Sequence, residues 1–97
     1  MTAEERAREF AKALEDAKAA DVKVYDVRGV SGFTDFFVVA TGVAAPHLKA
    51  LAKALPKAHR LSGDPESGWI VADFIDVVVH VFSAEARAYY ALEKLWA

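Results

Sequence analysis

Cysteine is absent from this chain of 97 residues, and that absence removes disulfides, thiolate metal sites and thiol nucleophiles together. It fits a reducing compartment. A membrane-length apolar run is also missing. The longest, Val77 to Phe82, is interrupted by His80 and falls far short of the ~20 residues a spanning helix needs. The opening MTAEERAREF mixes both charges and has no apolar core of the kind that directs export. The expectation is a cytoplasmic protein with no membrane contact. Basic excess is lacking too: the net charge is -2, which argues against a general nucleic-acid binder, and no dedicated nucleic-acid site is expected. Glycine (5) and proline (3) are few enough that each marks a boundary.

What is present is a 55% hydrophobic chain, long enough for one domain over residues 1–97 and not for two. Its charge is segregated. From Pro46 to Leu61 the charged residues are Lys49, Lys53, Lys57 and Arg60, with no acid; from Ser62 to Ala86 they are Asp64, Glu66, Asp73, Asp76 and Glu85, with no lysine or arginine. Two readings are open. One is a local bias on a solvated surface. The other is an acidic face that meets a basic partner.

Patterning predicts the order αββαββα, an α/β domain with a mixed sheet flanked by helices. Thr2-Ala3-Glu4-Glu5 has the spacing of a capping box, and an Ala-rich helix with Phe10 and Leu14 on its apolar stripe follows to about Ala20. Val22 to Val27 alternates as a strand, and Phe36 to Thr41 is apolar on both faces, as a central strand is. Pro46 suits a first helical turn; Leu48, Leu51, Ala52 and Leu55 share one face, and Pro56 stops that helix near Leu55. Ser62 to Gly68 reads as a loop. Trp69–Asp73 and Asp76–Phe82 read as a hairpin turning on Phe74-Ile75, which sets Asp73 against Asp76, Val71 against Val78 and Trp69 against His80. Ile75 is a poor residue for such a turn, where positive φ is wanted. Ile70, Ala72, Val77, Val79 and Val81 then form a core face, and Trp69, Asp73, Asp76, His80 and Phe82 a mixed one. Ser83 caps a last helix carrying Tyr89, Leu92 and Trp96 on one stripe and Ala88, Leu92 and Leu95 beside it.

Reactive chemistry is sparse. His47, His59 and His80 lack metal-ligand spacing, and His80 with Asp73 and Asp76 is the sole cluster that could hold a metal; a histidine stacked on Trp69 is the simpler reading, and neither metal nor cofactor is expected. Gly29-Val30-Ser31-Gly32 has the outline of a KH clamp but lies between strands and holds no basic residue. The element order is that of the nucleotidyltransferase-like fold, whose enzymes hold two metal ions on paired carboxylates. Here Asp35 is followed two residues on by Phe37, so the catalytic pair is missing. No enzyme activity is expected. A small-molecule or nucleotide-binding enzyme and a KH-like RNA binder are the alternatives.

Five blocks in order carry a resemblance: Asp26-Val27-Arg28-Gly29, Thr34-Asp35-Phe36-Phe37-Val38, Ala40-Thr41-Gly42, Ser67-Gly68-Trp69 and Asp76-Val77-Val78-Val79-His80-Val81-Phe82. With the C-terminal Glu85-Ala86-Arg87, Tyr89-Tyr90, Leu92-Glu93 and Leu95-Trp96, the chain resembles the Iojap-related ribosomal silencing factor family over nearly its whole length. That resemblance implies a nucleotidyltransferase-like domain without catalysis, often a dimer in isolation. It implies docking on a basic large-subunit ribosomal protein at the intersubunit face, steric exclusion of the small subunit and repression of translation; relatives assist large-subunit biogenesis. Trp69, Asp73, Asp76, His80 and Phe82 are the expected partner-binding residues. Trp69 as anchor stands against the reading in which the last helix covers it as core. The chain departs from the family at Val43-Ala44-Ala45-Pro46, where a polar cap and an arginine are usual, in a second helix about seven residues short, and at Ile75, where glycine is usual.

Overall fold

A computed structural model describes residues 2–95. Helix α1 (Ala3–Asp16) opens on the expected capping box: Thr2 accepts from the Glu5 N–H and the Glu5 carboxylate accepts from the Thr2 N–H. Its buried residues Ala7, Phe10, Ala11 and Leu14 fall at the 3/4 spacing of one helical face. The helix ends at Asp16, short of the expected Ala20. Lys18 takes a left-handed φ of 73°, with Lys18 N–H on Glu15 O and Ala19 N–H on Leu14 O. This is a Schellman stop, where glycine is usual and a lysine gives no warning.

Strands β1 (Ala20–Asp26), β2 (Phe36–Gly42), β3 (Arg60–Asp64), β4 (Trp69–Asp73) and β5 (Val77–Ser83) form one sheet in the order β1-β2-β5-β4-β3. Only β2 and β5 run parallel. Helix α2 (Ala45–Ala54) lies with α1 on one face, over Phe36, Val38, Ala40, Ile70, Ala72, Val77, Val79 and Val81. Leu48, Leu51 and Leu55 are its buried contribution. The core face read from the alternation of β4 and β5 is thus the buried face. Helix α3 (Ala84–Tyr90) lies on the opposite side, where Ala86 packs on Val39 and Phe82.

Three expectations need correction. First, Ser62–Asp64, expected as the start of a loop, belong to strand β3. Its five residues are all exposed, so hydrophobic alternation is absent, and its backbone pairing with β4 holds it. Gly63 sits there at φ 81°, where an added Cβ would lie 2.1 Å from the Trp69 carbonyl oxygen. Second, the hairpin is longer than a two-residue turn. Asp73 stands opposite Val78, Val71 opposite His80 and Trp69 opposite Phe82, and Phe74 N–H donates to Val77 O at 2.8 Å. The slip is two residues, so every side chain within the paired strands keeps its face; Asp76, outside β5, does not. Third, the last helix breaks at Ala91 (φ 48°) and resumes as a 3₁₀ turn over Leu92–Leu95. Tyr89 and Leu95 are exposed, so the expected stripe does not form; Trp96 lies outside the described residues.

Candidate functional site

Among the described residues the second face of the sheet is covered only in part. Over its β1 side and the C-terminal ends of β2 and β5, α3 and the turn after it bury Val39 and Phe82, with Tyr25, Trp69 and Leu92 at the margin. Arg87 fixes this cover. Its guanidinium donates to Glu93 at 2.6 and 2.9 Å, to Thr41 Oγ1 at 2.8 Å and to the Asp21 carbonyl at 2.7 Å. The Tyr25 hydroxyl also meets Glu93. Burial, then the Glu93 hydrogen bond, pushes the Tyr25 hydroxyl up to about 12, and the Arg87 hydrogen bond lowers the Glu93 carboxyl. Sequence reasoning missed Arg87; the glutamate six residues on gives no helical spacing to flag it.

Beyond that cover lies an open half. Phe37 stands beside Val78, Val78 opposite Asp73, and Val71 opposite His80. Val71, Asp73 and Val78 are each half-buried, and among the described residues no helix packs on them; Phe37, also half-buried, lies against His80 with ring centroids 5.0 Å apart. Trp69 sits where cover and open half meet. Its ring centroid lies 4.6 Å from Tyr90 and 5.0 Å from Phe82. Its indole Nε1–H donates to His80 Nδ1 at 3.2 Å, a diagonal cross-strand contact. Nδ1 is therefore the acceptor and Nε2 carries the hydrogen, which is buried and has no partner among the described residues. Desolvation pushes His80 down to about 4, so the ring is neutral at physiological pH.

The expected site residues are therefore not equivalent. Trp69 and Asp73 reach the open half. His80 and Phe82 lie beneath it, 7% and 1% exposed, and orient the indole. Asp76 is elsewhere: its carboxylate pairs with Arg6 of α1 at 2.5 Å, on the other side of the sheet. Asp73 accepts from the Ile75 N–H at 2.7 Å and stands across from Arg60, while Asp64 caps the turn at Ser67. The acidic run is thus dispersed, and the open half is apolar and aromatic with one carboxylate at its edge. The His80, Asp73 and Asp76 side chains are not gathered as a metal site; among the described residues no three such groups are.

Residues 1–97 match the family described as ribosomal silencing factor during starvation. The chain belongs to the ribosomal silencing factor family. A ribosomal silencing factor of Treponema pallidum is 41% identical over 104 aligned positions, covering 99% of this chain and 94% of the relative. One of Halalkalibacterium halodurans is 39% identical, covering 87% and 79%. Among solved structures, a protein of Chromobacterium violaceum superposes with a TM-score of 0.91 at 32% identity, over 99% of this chain and 87% of that one. The Treponema pallidum and Halalkalibacterium halodurans relatives carry a regulatory name and not an enzyme's. Within the silencing-factor fold, Phe37 lies half-buried against His80 and Asp35 holds an exposed loop position just before β2. No helix of the described residues is long and apolar enough to cross a membrane.

Proposed function

We propose that this silencing factor docks through the open half of its sheet onto a basic protein of the large ribosomal subunit, in the cytoplasm, and by its bulk keeps the small subunit from joining. The observation that carries the reading is the half-buried apolar pair Val71 and Val78, on which no helix of the described residues packs, with Trp69 at its margin. Such a patch on a small domain marks an interaction site, and tryptophan is the residue type most enriched among interface hot spots. Asp73 supplies the edge charge for a partner lysine or arginine. The same patch suits a second copy of the chain, so self-association competes with docking when the ribosome is absent. The action is binding without turnover, because the second carboxylate a two-metal site requires is replaced by Phe37.

The test is subunit joining. Purified large subunits are incubated with the protein, small subunits are added, and joined particles are measured by sedimentation. The expected result is co-migration with the large subunit and a dose-dependent fall in joined particles. Unimpaired joining at saturating protein, or a metal-dependent nucleotide turnover, overturns the reading.

A further inference from the structure

Of the chain's twelve cations five meet a carboxylate, four more are gathered in one segment, and Lys18, Lys23 and Lys94 stand exposed elsewhere, with no ion pair among the described residues. Arg6, Arg8, Arg28, Arg87 and Lys12 each meet a carboxylate. Lys49, Lys53, Lys57 and Arg60 are all exposed, and among the described residues none of them forms an ion pair. The three lysines flank one feature. A cleft of about 670 Å³ lies between α2 and β3, with Lys49 and Lys53 on its helix side, and a second of about 330 Å³ continues it past Lys57. The two share Ala52 and Leu61 in their walls, so they form one groove along the exposed edge of the sheet. Glu66 is the single acid in the lining, at the Pro65 end, which leaves the Lys53–Lys57 stretch uniformly positive.

We infer that this groove, flanked by Lys49, Lys53 and Lys57, is a contact for the phosphate backbone of duplex RNA. The inference rests on the docking proposed above, since it places the RNA on the same particle. Geometry favours RNA over an extended acidic peptide. A peptide would add to β3 as a sixth strand, but Gly63 at φ 81° breaks the regular edge such pairing needs. The chemistry favours backbone over bases. Lysine is a point charge with no bidentate reading geometry, and the lining holds no aromatic ring on which an unpaired base could stack. Lys49 and Lys53 are one helical turn apart, about 6 Å along the axis, and track a line of charge. The groove opens on the α2 side of β3, at Leu61 and Gly63, while Arg60, Ser62 and Asp64 of the same strand continue the docking face beyond Asp73, Val71 and Trp69, so β3 is the edge that the two share. A protein seated on the open half therefore brings the β3 edge against whatever surrounds its partner. The net charge of -2 concealed this, because a mean over the chain averages cations that are collected in one segment.

The experiment measures affinity for purified large subunits as a function of salt. It compares the wild type with the triple variant Lys49→Gln, Lys53→Gln, Lys57→Gln, and with Trp69→Ala. Glutamine keeps the helix propensity of lysine, and circular dichroism checks the fold. Each phosphate contact contributes about one to the slope of log affinity against log salt. The triple variant is expected to lower the slope by about two to three while still binding at low salt; Trp69→Ala weakens binding at every salt with the slope kept. Hydroxyl-radical footprinting is expected to show a duplex segment protected by wild type and exposed with the triple variant. If wild type binds and the variant's slope is unchanged, the RNA contact is wrong and the docking stands. If the slope falls with no change in RNA protection, the lysines meet an acidic protein and the RNA assignment is overturned. If wild type fails to bind at all, docking and inference fall together.

Discussion

His80 shows how a single residue can be legible in position and illegible in state. Alternation along Val77–Phe82 placed it on the second face beside Trp69, and there it is. The sequence could not show that Phe37 and Phe82 would enclose it to 7% exposure, because burial depends on strands far apart in the chain. Its chemistry follows from that enclosure. The folded value is about 4, below the ordinary 6.5, so the unfolded chain binds more protons between those values. Stability from the neutral ring is present above pH 6.5 and is lost as pH falls towards 4. Between pH 6.5 and 5, above the range where most carboxylates titrate, the loss is expected to be roughly 1–2 kcal/mol. Urea unfolding at stepped pH checks this. His80→Gln, whose amide oxygen can still accept the Trp69 indole N–H, is expected to be flat across that window; an equally steep variant would assign the acid sensitivity to another group.

At the scale of elements, what could be read were helices with caps and strands with apolar faces; what could not were features held by backbone alone. The α1 start, the α2 stop at Pro56 and the core face of β4–β5 all follow from side-chain chemistry. Strand β3 buries nothing, and the helix stop at Lys18 needs a left-handed residue that the sequence does not advertise. The N-terminus of α2 has no side-chain cap, since Ala44 offers no acceptor; His47 Nδ1 instead fixes the approach to the helix by accepting the Val43 N–H at 2.9 Å. The β4–β5 turn carries an unrelieved defect. Ile75 sits at φ 76°, a genuine outlier for a β-branched residue, and 60% of it is exposed, so little packing compensates. Ile75→Gly removes a left-handed strain of roughly 1–2 kcal/mol. Glycine's greater freedom in the unfolded chain offsets part of that gain. A net gain of about 1 kcal/mol corresponds to a melting temperature higher by roughly 4–8 °C for a domain of this size. Calorimetry that finds no rise would mean the turn holds Ile75 without strain.

At the scale of the whole molecule the layers are unbalanced. Five strands present two faces; α1 and α2 cover one as far as β4, while among the described residues α3 and the turn after it, tethered by Arg87, cover only part of the other. The element order could suggest this imbalance, since only the last helix follows β5, but the extent of cover depended on where that helix broke at Ala91. The open half therefore contributes little to folding and is free to contribute to docking. Val71 distinguishes the two roles better than Trp69, whose stacking on Tyr90 and Phe82 couples it to stability. Val71 is half-buried and belongs to neither core cluster. Lysine there can lay its stem on the sheet and keep its ammonium in water, so Val71→Lys is expected to change folding stability by about 1 kcal/mol or less. In a complex the same ammonium would be desolvated against a basic partner, with a loss of about 2 kcal/mol or more in binding, some thirtyfold in affinity. Val43→Lys is the control, an 87%-exposed apolar residue outside the open half, and it is expected to leave both quantities unchanged. Thermal melts beside large-subunit co-sedimentation read the two axes separately. A Val71→Lys protein that melts like the wild type and also binds like it would place the docking surface elsewhere on the molecule.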